Sequence, residues 1–196
     1  MRELRAVCVY CGSSSGTDPG YAALAADVGR RLAREGITIV YGGSAVGLMR
    51  ELADAALGEG GRVVGVTPRS VFRTEVAHRG LTELFEVDSM HDRKLLMFEL
   101  SDGFVALPGG IGTLEELTEV ASWAQLGLHD KPVVTLDVDG FWRPFHDFLD
   151  AVVTAGLLKP RNRALVGHVD DPARVLDVLR VGTVEAREPA IGLDET

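Results

Sequence analysis

The stretch VALPGGIGTLEE, residues 105–116, decides the fold of this chain. The apolar run Gly103–Leu107 predicts a buried strand, and the glycines that follow it break the pattern. From Gly112 to Leu128 apolar residues recur at helical spacing, which predicts a helix whose inner face contains Leu114, Leu117, Ala121, Ala124 and Leu128. A helix that starts at a glycine turn presents free backbone N–H groups at the positive end of its dipole. The stretch therefore predicts an anion site, and a phosphate fits best because glycines allow close approach and Thr113 adds a hydroxyl donor.

Two carboxylates, Glu115 and Glu116, follow at once on the first turn of this predicted helix. Acidic side chains suit the positive end of a helix dipole, and for Glu115 that is a sufficient reason. Glu116 shares a helix stripe with Val120 and Trp123, and a partly apolar setting changes the pKa of a carboxyl group. We interpret Glu116 as a carboxylate held beside a bound phosphate ester, an arrangement that would be a poor design for binding alone.

Strand-like and helix-like patterns alternate along the whole chain. The first part predicts strand, helix, strand, helix and strand, in segments 6–10, 19–35, 37–41, 46–57 and 62–67. The second part predicts strands over 81–87, 103–107 and 132–136, helices over 89–100, 112–128 and 142–154, a short helix and an edge strand within 162–170, and a helix from 171 to 181. This alternation predicts an α/β protein with a parallel sheet and right-handed crossovers. One domain is expected over residues 1–181, with a loosely held tail over 182–196.

Three loops of small residues follow the carboxyl ends of predicted strands, namely Gly12-Ser13-Ser14, Gly42-Gly43-Ser44 and Pro108-Gly109-Gly110. In open parallel sheets, ligands bind at those ends, where the strand order reverses. The loops therefore predict a site for an anionic ligand of nucleotide size, with their serines as hydrogen-bond donors rather than nucleophiles. No loop carries the G-x-G-x-x-G fingerprint or a Walker lysine, which argues against NAD and against ATP hydrolysis.

Arg93 occupies a position where a core residue is expected. Its predicted helix, Ser89 to Leu100, has an apolar stripe of Met90, Leu96, Met97 and Leu100, and Arg93 falls on that stripe. Taken alone, the better explanation is an arginine that extends from the end of the stripe into solvent. Two features favour a function instead: the helix leads into the strand before the glycine turn, and Lys94 adjoins Arg93 at the same helix end.

Composition limits the partners of the chain. It has 196 residues, of which 46% are hydrophobic and 25% charged, and a formal net charge of −9. This acidic balance argues against sequence-independent nucleic-acid binding, although a local cluster of N–H groups and arginines still suits one small anion. No apolar run reaches membrane-spanning length and the first five residues lack a signal-peptide core, so a cytoplasmic location is expected.

The cysteines and histidines predict no metal site and no redox site. Cys8 and Cys11 lie three apart in a predicted strand and so point to opposite faces, which favours buried structural thiols. The histidines at 78, 91, 129, 146 and 168 are scattered without metal-ligand spacing. We therefore expect no metal and no cofactor.

Two boxes of sequence together resemble the LOG (Lonely Guy) family, the cytokinin riboside 5′-monophosphate phosphoribohydrolases. MHDRK at 90–94 and PGGIGTLEE at 108–116 match the family pattern M-H-x-R-K followed by P-G-G-x-G-T-x-x-E without departure. The likeness extends from about Ala6 to Gly156. It implies a Rossmann-like, doubly wound sheet, a homodimer, and hydrolysis of nucleoside 5′-monophosphates to free base and ribose 5-phosphate.

The resemblance also assigns roles by position, with Arg93 and Glu116 as the catalytic pair. Ser122 stands at a position where threonine is also common in the family. With the pair and the three loops, the expected substrate-binding residues are Ser13, Gly42, Gly43, Glu75, Met90, Arg93, Lys94, Gly109, Gly110, Ile111, Gly112, Thr113, Leu114, Glu115, Glu116 and Ser122.

One family label fits this chain poorly, and two rival functions stay open. Members of the family have often been labelled lysine decarboxylases, but the chain has only three lysines, Lys94, Lys131 and Lys159, and none has the context of a pyridoxal Schiff base. A binding protein of the same fold could hold a nucleotide or a cofactor without cleaving it. A DNA-processing protein with a related domain is the second rival, and the acidic balance weighs against it.

The expected homodimer has one further source besides the resemblance. Trp123, Trp142, Phe145 and Phe148 give two predicted helices more aromatic surface than one small sheet needs to cover. The alternative is that these side chains complete the core of the domain, in which case they give no indication of a dimer.

Overall fold

The computed structural model describes residues 2–69 and 77–182. The strands are β1 Ala6–Tyr10, β2 Thr38–Tyr41, β3 Val63–Pro68, β4 Glu83–Val87, β5 Gly103–Ala106, β6 Val133–Leu136 and β7 Val166–Val169. The helices are α1 Pro19–Arg34, α2 Gly47–Gly58, α3 Met90–Glu99, α4 Ile111–Gln125, α5 Arg143–Thr154, α6 Pro160–Arg163 and, after a 3-10 turn at Pro172–Arg174, α7 Val175–Val181. Glu75 and the predicted tail after Gly182 lie outside the described residues, so the domain boundary at 181 stays a prediction. No helix in the two described ranges is long and apolar enough to cross a bilayer.

The strands form one seven-stranded parallel sheet in the order β4-β3-β2-β1-β5-β6-β7. Successive strands are added outward from β1 to β4, and the chain then returns to the other side of β1 to start again with β5. The predicted α/β fold with a doubly wound parallel sheet is confirmed. The order reverses between β1 and β5, so the crevice for a ligand lies at the carboxyl ends of these two strands.

Helices cover both faces of this sheet, which explains why its central strands are apolar without alternation. Val7 and Val9 of β1 pack with α1, α2 and α7, whereas Cys8 and Tyr10 pack with α3, α4 and α5. Cys8 and Cys11 are both buried, free thiols on opposite sides of the sheet, as expected.

The inner face predicted for α4 is wrong at its carboxyl end. The helix ends at Gln125, Gly127 adopts a left-handed φ of 73°, and Leu128 is 68% exposed. A glycine in that conformation ends a helix and turns the following residue away from its face. Val120 is buried on the inner face instead, together with Leu117 and Ala124.

The four aromatic residues assigned to a possible interface divide between core and surface. Trp142 is 3% exposed and packs edge-on against Phe145, with ring centroids 5.7 Å apart. Trp123 is partly buried and packs edge-on against Phe98 at 5.2 Å. Phe148, at 63% exposed, is the one that presents its ring to solvent, so most of the predicted aromatic surplus belongs to the core.

Candidate active site

A cleft of about 340 Å³ opens at the carboxyl ends of β1, β2 and β5, beside the point where the strand order reverses. Ten of the residues predicted from the sequence line it: Ser13, Gly42, Met90, Arg93, Gly110, Ile111, Gly112, Thr113, Glu115 and Glu116. They come from two loops and from the amino-terminal ends of α3 and α4. Because these segments are far apart in the chain, only the parallel sheet brings them together.

The start of α4 forms one wall of the cleft and is open to a ligand. Gly110 is the residue before the helix, and no side chain among the described residues caps it. A Cβ atom added at Gly110 or at Gly112 would meet nothing within 4 Å, so these glycines border open space. The unpaired N–H groups of a first helical turn therefore face a space that a phosphate can enter.

The turn before α4 is packed tightly against the loop after β1. A Cβ at Gly109 would lie 2.1 Å from Thr113 Oγ1 and 3.0 Å from the Gly12 nitrogen. The Gly12 N–H donates to the Pro108 carbonyl over 3.2 Å, and the Gly12 carbonyl accepts from Leu48 N over 3.0 Å. The chain's own contacts therefore hold the predicted anion site in shape.

Arg93 and Glu116 face each other inside the cleft. Arg93 Nη2 lies 3.8 Å from Glu116 Oε1, and each side chain is only 11% exposed. Arg93 Nη1 contacts Met90 Sδ at 3.8 Å, and the buried Nε has no hydrogen-bond partner among the described residues. A buried guanidinium with one long ion pair retains donors for a polar or anionic ligand.

Burial raises the pKa of the Glu116 carboxyl to about 7, and the nearby Arg93 guanidinium limits this rise. Glu115 adds to the rise by charge repulsion, while Lys94 opposes it. A carboxyl group with a pKa near neutrality exchanges protons readily at pH 7, which suits general acid–base chemistry.

Lys94 is buried between two carboxylates and does not line the cleft. Its Nζ donates hydrogen bonds to Glu115 Oε1 and, over 2.9 Å, to Glu119 Oε1. Burial lowers the pKa of Lys94, but the hydrogen bonds that it donates to Glu115 and Glu119 more than offset this effect and raise the pKa overall. Lys94 therefore joins α3 to α4 directly beside the catalytic candidates.

The other predicted substrate-binding residues lie outside the lining of this cleft. Gly43, Gly109 and Leu114 belong to the turns and the helix behind it, and Glu75 lies outside the described residues. Ser122 is exposed about 9 Å farther along α4 than Glu116, at a rise of 1.5 Å per residue. The role of these residues stays a prediction.

Sequence reasoning missed three residues of the lining, Val9, Cys11 and Met49, whereas Gly12 belongs to a loop that the sequence predicted for the site. Met49 is an apolar residue in the first turn of α2 and is buried like a core residue, so its type and spacing carried no signal. Cys11 lines the same cleft as Glu116 and Arg93, and burial raises the pKa of its thiol, which makes it a poor nucleophile. No cluster of histidine, cysteine and acidic residues in the described ranges could hold a metal ion.

Comparisons with known proteins found one matching family model and several similar proteins. A family model described as "Possible lysine decarboxylase" matches residues 49–179. A cytokinin riboside 5′-monophosphate phosphoribohydrolase of Rhodococcoides fascians is 48% identical over 163 residues, which are 83% of this chain and 82% of that protein. The enzymes of the same name LOG from Oryza sativa subsp. japonica and LOG3 from Arabidopsis thaliana are 47% and 44% identical, each over 84% of this chain and over 68% and 76% of their own length.

Solved structures with the same fold are more distant in sequence. The molybdenum cofactor carrier protein of Chlamydomonas reinhardtii superposes with a TM-score of 0.66 at 21% identity, over 89% of this chain and 95% of that one. DNA processing protein A of Helicobacter pylori superposes with a TM-score of 0.54 at 16% identity, over 88% and 78%. At these identities the likenesses establish the fold alone.

Proposed function

The chain belongs to the family of the cytokinin riboside 5′-monophosphate phosphoribohydrolases, and we propose that it hydrolyses the N-glycosidic bond of such nucleotides, and of AMP, to free base and ribose 5-phosphate. The observation that carries this proposal is one cleft in which an open, glycine-edged helix start lies beside a buried arginine–carboxylate pair. The first feature suits the phosphate and the second suits the bond to be broken.

The phosphate is the anchor in this proposal. Its oxygens accept hydrogen bonds from the N–H groups at the start of α4, where Gly110 and Gly112 leave room for them. Thr113, in the same turn, adds a hydroxyl donor. Energy from this remote contact positions the ribose over Glu116, so the phosphate contributes to the rate as well as to affinity.

The bond to the base breaks through an oxocarbenium-like state. Glu116, as the carboxylate, stabilises the positive charge on the ribose, orients its hydroxyl groups and accepts a proton from the attacking water. The water oxygen bonds to C1′, and the base leaves with the electron pair of the C–N bond and takes up a proton from solvent, while Glu116 returns to the carboxylate by releasing the proton of the attacking water to solvent. Arg93 stays charged throughout, so it holds the substrate and the departing base rather than acting as the acid.

Lysine decarboxylation is the poorer candidate despite the description of the matching family model. A pyridoxal-dependent enzyme needs a lysine with a free amino group in the site. Lys94 is engaged by Glu115 and Glu119, and Lys131 donates to the Phe98 carbonyl over 2.7 Å at the opposite end of the sheet. Lys159 stands directly before α6 and is not among the residues that line the cleft.

The proposal is tested by measuring base release from adenosine, AMP, a prenylated AMP, ADP and ATP at matched concentrations. We expect turnover of both monophosphates, none of adenosine, and slower turnover of ADP and ATP, because the turn fits one phosphate and is followed by no Walker lysine. Tight AMP binding without base release would make the chain a carrier. Equal rates for adenosine and AMP would exclude the phosphate anchor.

We also propose that the chain forms a homodimer and acts without a nucleic-acid partner. The resemblance supports the dimer, together with exposed apolar side chains at Leu126, Leu128 and Phe148. The net charge of −9 supports the second part. Light scattering at micromolar concentration and a gel-shift assay with single-stranded DNA test the two parts separately.

A further inference from the structure

The backbone conformation at Gly42 does not explain why this residue is a glycine. Its neighbour Gly43 adopts a left-handed φ of 75°, which favours glycine, but Gly42 lies outside that region. A Cβ atom at Gly42 would lie 1.8 Å from Arg93 Nη2 and 3.0 Å from Arg93 Cζ. What requires glycine at this position is therefore the guanidinium that rests on it.

The same guanidinium atom faces Glu116, since Arg93 Nη2 is 3.8 Å from Glu116 Oε1. Hydrogen bonds within the described residues do little to hold this group: Nη1 has only the thioether of Met90, and Nε has no partner. Packing must then decide where the guanidinium lies, and the surface it packs on is the bare Cα of Gly42.

We propose that Gly42 is a positioning residue whose missing side chain forms the slot that seats the Arg93 guanidinium beside Glu116. This inference rests on the proposed function for its effect on rate, but not for the geometry of the slot. Gly42 acts through Arg93 in this proposal, independently of any contact with the substrate.

The backbone around Gly42 is held from several directions, so an added methyl group displaces the arginine rather than the turn. The Gly43 carbonyl accepts from His78 N over 2.9 Å, Ser44 forms a β-bridge with Ala77, and the Tyr41 hydroxyl donates to the Ser44 carbonyl over 3.2 Å. The remaining close neighbour is Met49 Sδ at 3.1 Å, the end of a flexible side chain that yields a few tenths of an ångström.

The displacement has an expected size. Because Cβ contacts shorter than 3.0 Å essentially never occur, Gly42→Ala must move Nη2 by about 1 Å or more. A misplacement of about 1 Å near a reacting bond reduces a rate by roughly a hundredfold. We therefore expect Gly42→Ala to lower kcat for AMP by about that factor, with a smaller change in KM.

A second effect of the displacement is measurable without any turnover. The charged groups around Glu116 are Arg93 and Lys94 on α3 and Glu115 and Glu119 on α4, and the neutral Cys8, Tyr10 and Cys11 approach it from the β1 side. Arg93 is the nearest of the cations and holds the pKa of Glu116 down against burial. Withdrawal of its guanidinium should raise that pKa above its starting value of about 7.

The experiment compares wild type, Gly42→Ala, Arg93→Ala, the double variant and the control Gly58→Ala. Gly58 ends α2 and a Cβ there meets nothing within 4 Å, so the control adds the same methyl group without a contact. Three quantities are measured: kcat and KM for AMP, the melting temperature, and the Glu116 titration by carboxyl ¹³C NMR, assigned through Glu116→Gln.

We expect Gly42→Ala to lose kcat and to raise the pKa of Glu116, and the control to do neither. The double variant should be no slower than Arg93→Ala, because the methyl group acts only through the arginine. If Gly42→Ala melts at a lower temperature, removing the Arg93 side chain should restore the melting temperature.

An unchanged pKa of Glu116 in Gly42→Ala would contradict the proposed slot. So would a double variant whose kcat lies below that of Arg93→Ala by the same factor that Gly42→Ala alone causes. If Gly42→Ala lowers the melting temperature and the double variant does not restore it, the proposed slot is also contradicted. A wild type that releases no base from any nucleotide contradicts the proposed function instead, and the NMR titration still decides whether the slot exists.

Discussion

Glu116 is a residue whose burial works against the stability of the fold. Burial raises its pKa from the ordinary value to about 7, so the native state favours the protonated form, whereas the unfolded chain ionises near pH 4.5. The unfolded state thus holds fewer protons between those two values. The contribution of Glu116 to stability is therefore fully present below about pH 4.5 and is lost as the pH rises through 7.

Glu116→Gln should accordingly stabilise the protein while abolishing its activity. We expect the free energy of unfolding at pH 8 to rise by up to about 3 kcal/mol, since one pKa unit corresponds to about 1.4 kcal/mol, and to change little at pH 4. Urea denaturation at the two pH values measures the difference, with the exposed Glu99→Gln as the matched control. A loss of stability at pH 8 would show that Glu116 serves the fold rather than the site.

Arg93 should be irreplaceable even by another cation. Arg93→Ala should lower turnover of AMP at least a hundredfold, and Arg93→Lys should restore little of it, because an ammonium group is a point charge without the planar fork of a guanidinium. The melting temperature should stay near that of wild type, since neither change opens a core cavity. Near-normal turnover of the lysine variant would mean that the site needs only a positive charge.

Chemical type decided which of the site residues could be predicted from the sequence. Arg93 and Glu116 were predictable because a charge on an apolar stripe violates the helical pattern, and Gly110 because it stands between a strand and a helix. Met49 was not, since a methionine in the first turn of α2 matches a core residue in every respect. The reason for glycine at 42 also left no trace in the sequence, because it depends on an arginine about fifty residues away.

At the scale of elements, the start of α4 and the loop after β1 act as one unit. Gly109→Ala places a methyl group 2.1 Å from Thr113 Oγ1 and 3.0 Å from the Gly12 nitrogen, so it separates the turn from that loop. Gly112→Ala meets nothing in the unliganded chain and only narrows the space in front of the helix start.

This pair of alanine variants therefore separates the scaffold from the phosphate contact. We expect Gly109→Ala to lower the melting temperature by several degrees and to raise KM for AMP. Gly112→Ala should not lower the melting temperature, because alanine is the better helix former, and should still raise KM, because it hinders the approach of the phosphate. Calorimetric unfolding and steady-state kinetics on both variants supply the two quantities. A normal KM in Gly112→Ala would place the phosphate elsewhere.

The elements themselves followed from the sequence, and their ends did so less well. Alternating apolar segments predicted the central strands most clearly, because a strand covered on both faces is apolar throughout, whereas the edge strand β4 carries exposed Glu83 and Glu86. The end of α4 was misjudged because Leu128 continues the helical spacing, whereas Gly127 has already ended the helix. Spacing reports which residues share a face, but a single backbone conformation decides where that face stops.

The molecule as a whole carries a second buried titratable group, at the sheet edge beyond the cleft. His146 of α5 is buried, with Nε2 at 2.7 Å from Thr135 Oγ1 of β6 and Nδ1 at 3.0 Å from Arg163 Nη2 of α6. Because arginine can only donate, Nδ1 accepts, and the proton of the neutral ring sits on Nε2. Burial, followed by the charges of Arg163 and His168, lowers the pKa of His146 to about 4.

His146 and Glu116 therefore give the whole protein two opposing responses to acid. The unfolded histidine titrates near 6.5 and the folded one near 4, so its contribution to stability is complete above pH 6.5 and is lost as the pH falls toward 4. Over almost the same interval Glu116 adds stability as the pH falls. Each contribution reaches at most about 3 kcal/mol, so in wild type they largely cancel.

Removing one of the two groups should reveal the effect of the other on how the free energy of unfolding depends on pH. In Glu116→Gln the free energy of unfolding should fall by up to about 3 kcal/mol more than in wild type between pH 7 and pH 4.5. Adding His146→Gln should lower stability at pH 7, because Arg163 and Thr135 lose a partner, yet flatten the slope again. His91→Gln in the same background should leave the slope unchanged, since His91 lies exposed to solvent on α3.

Urea denaturation of the four proteins at intervals of half a pH unit gives the slope of the free energy of unfolding against pH for each. Equal slopes in Glu116→Gln and wild type would mean that the buried carboxyl is ionised throughout, and the expected pKa near 7 would then be wrong.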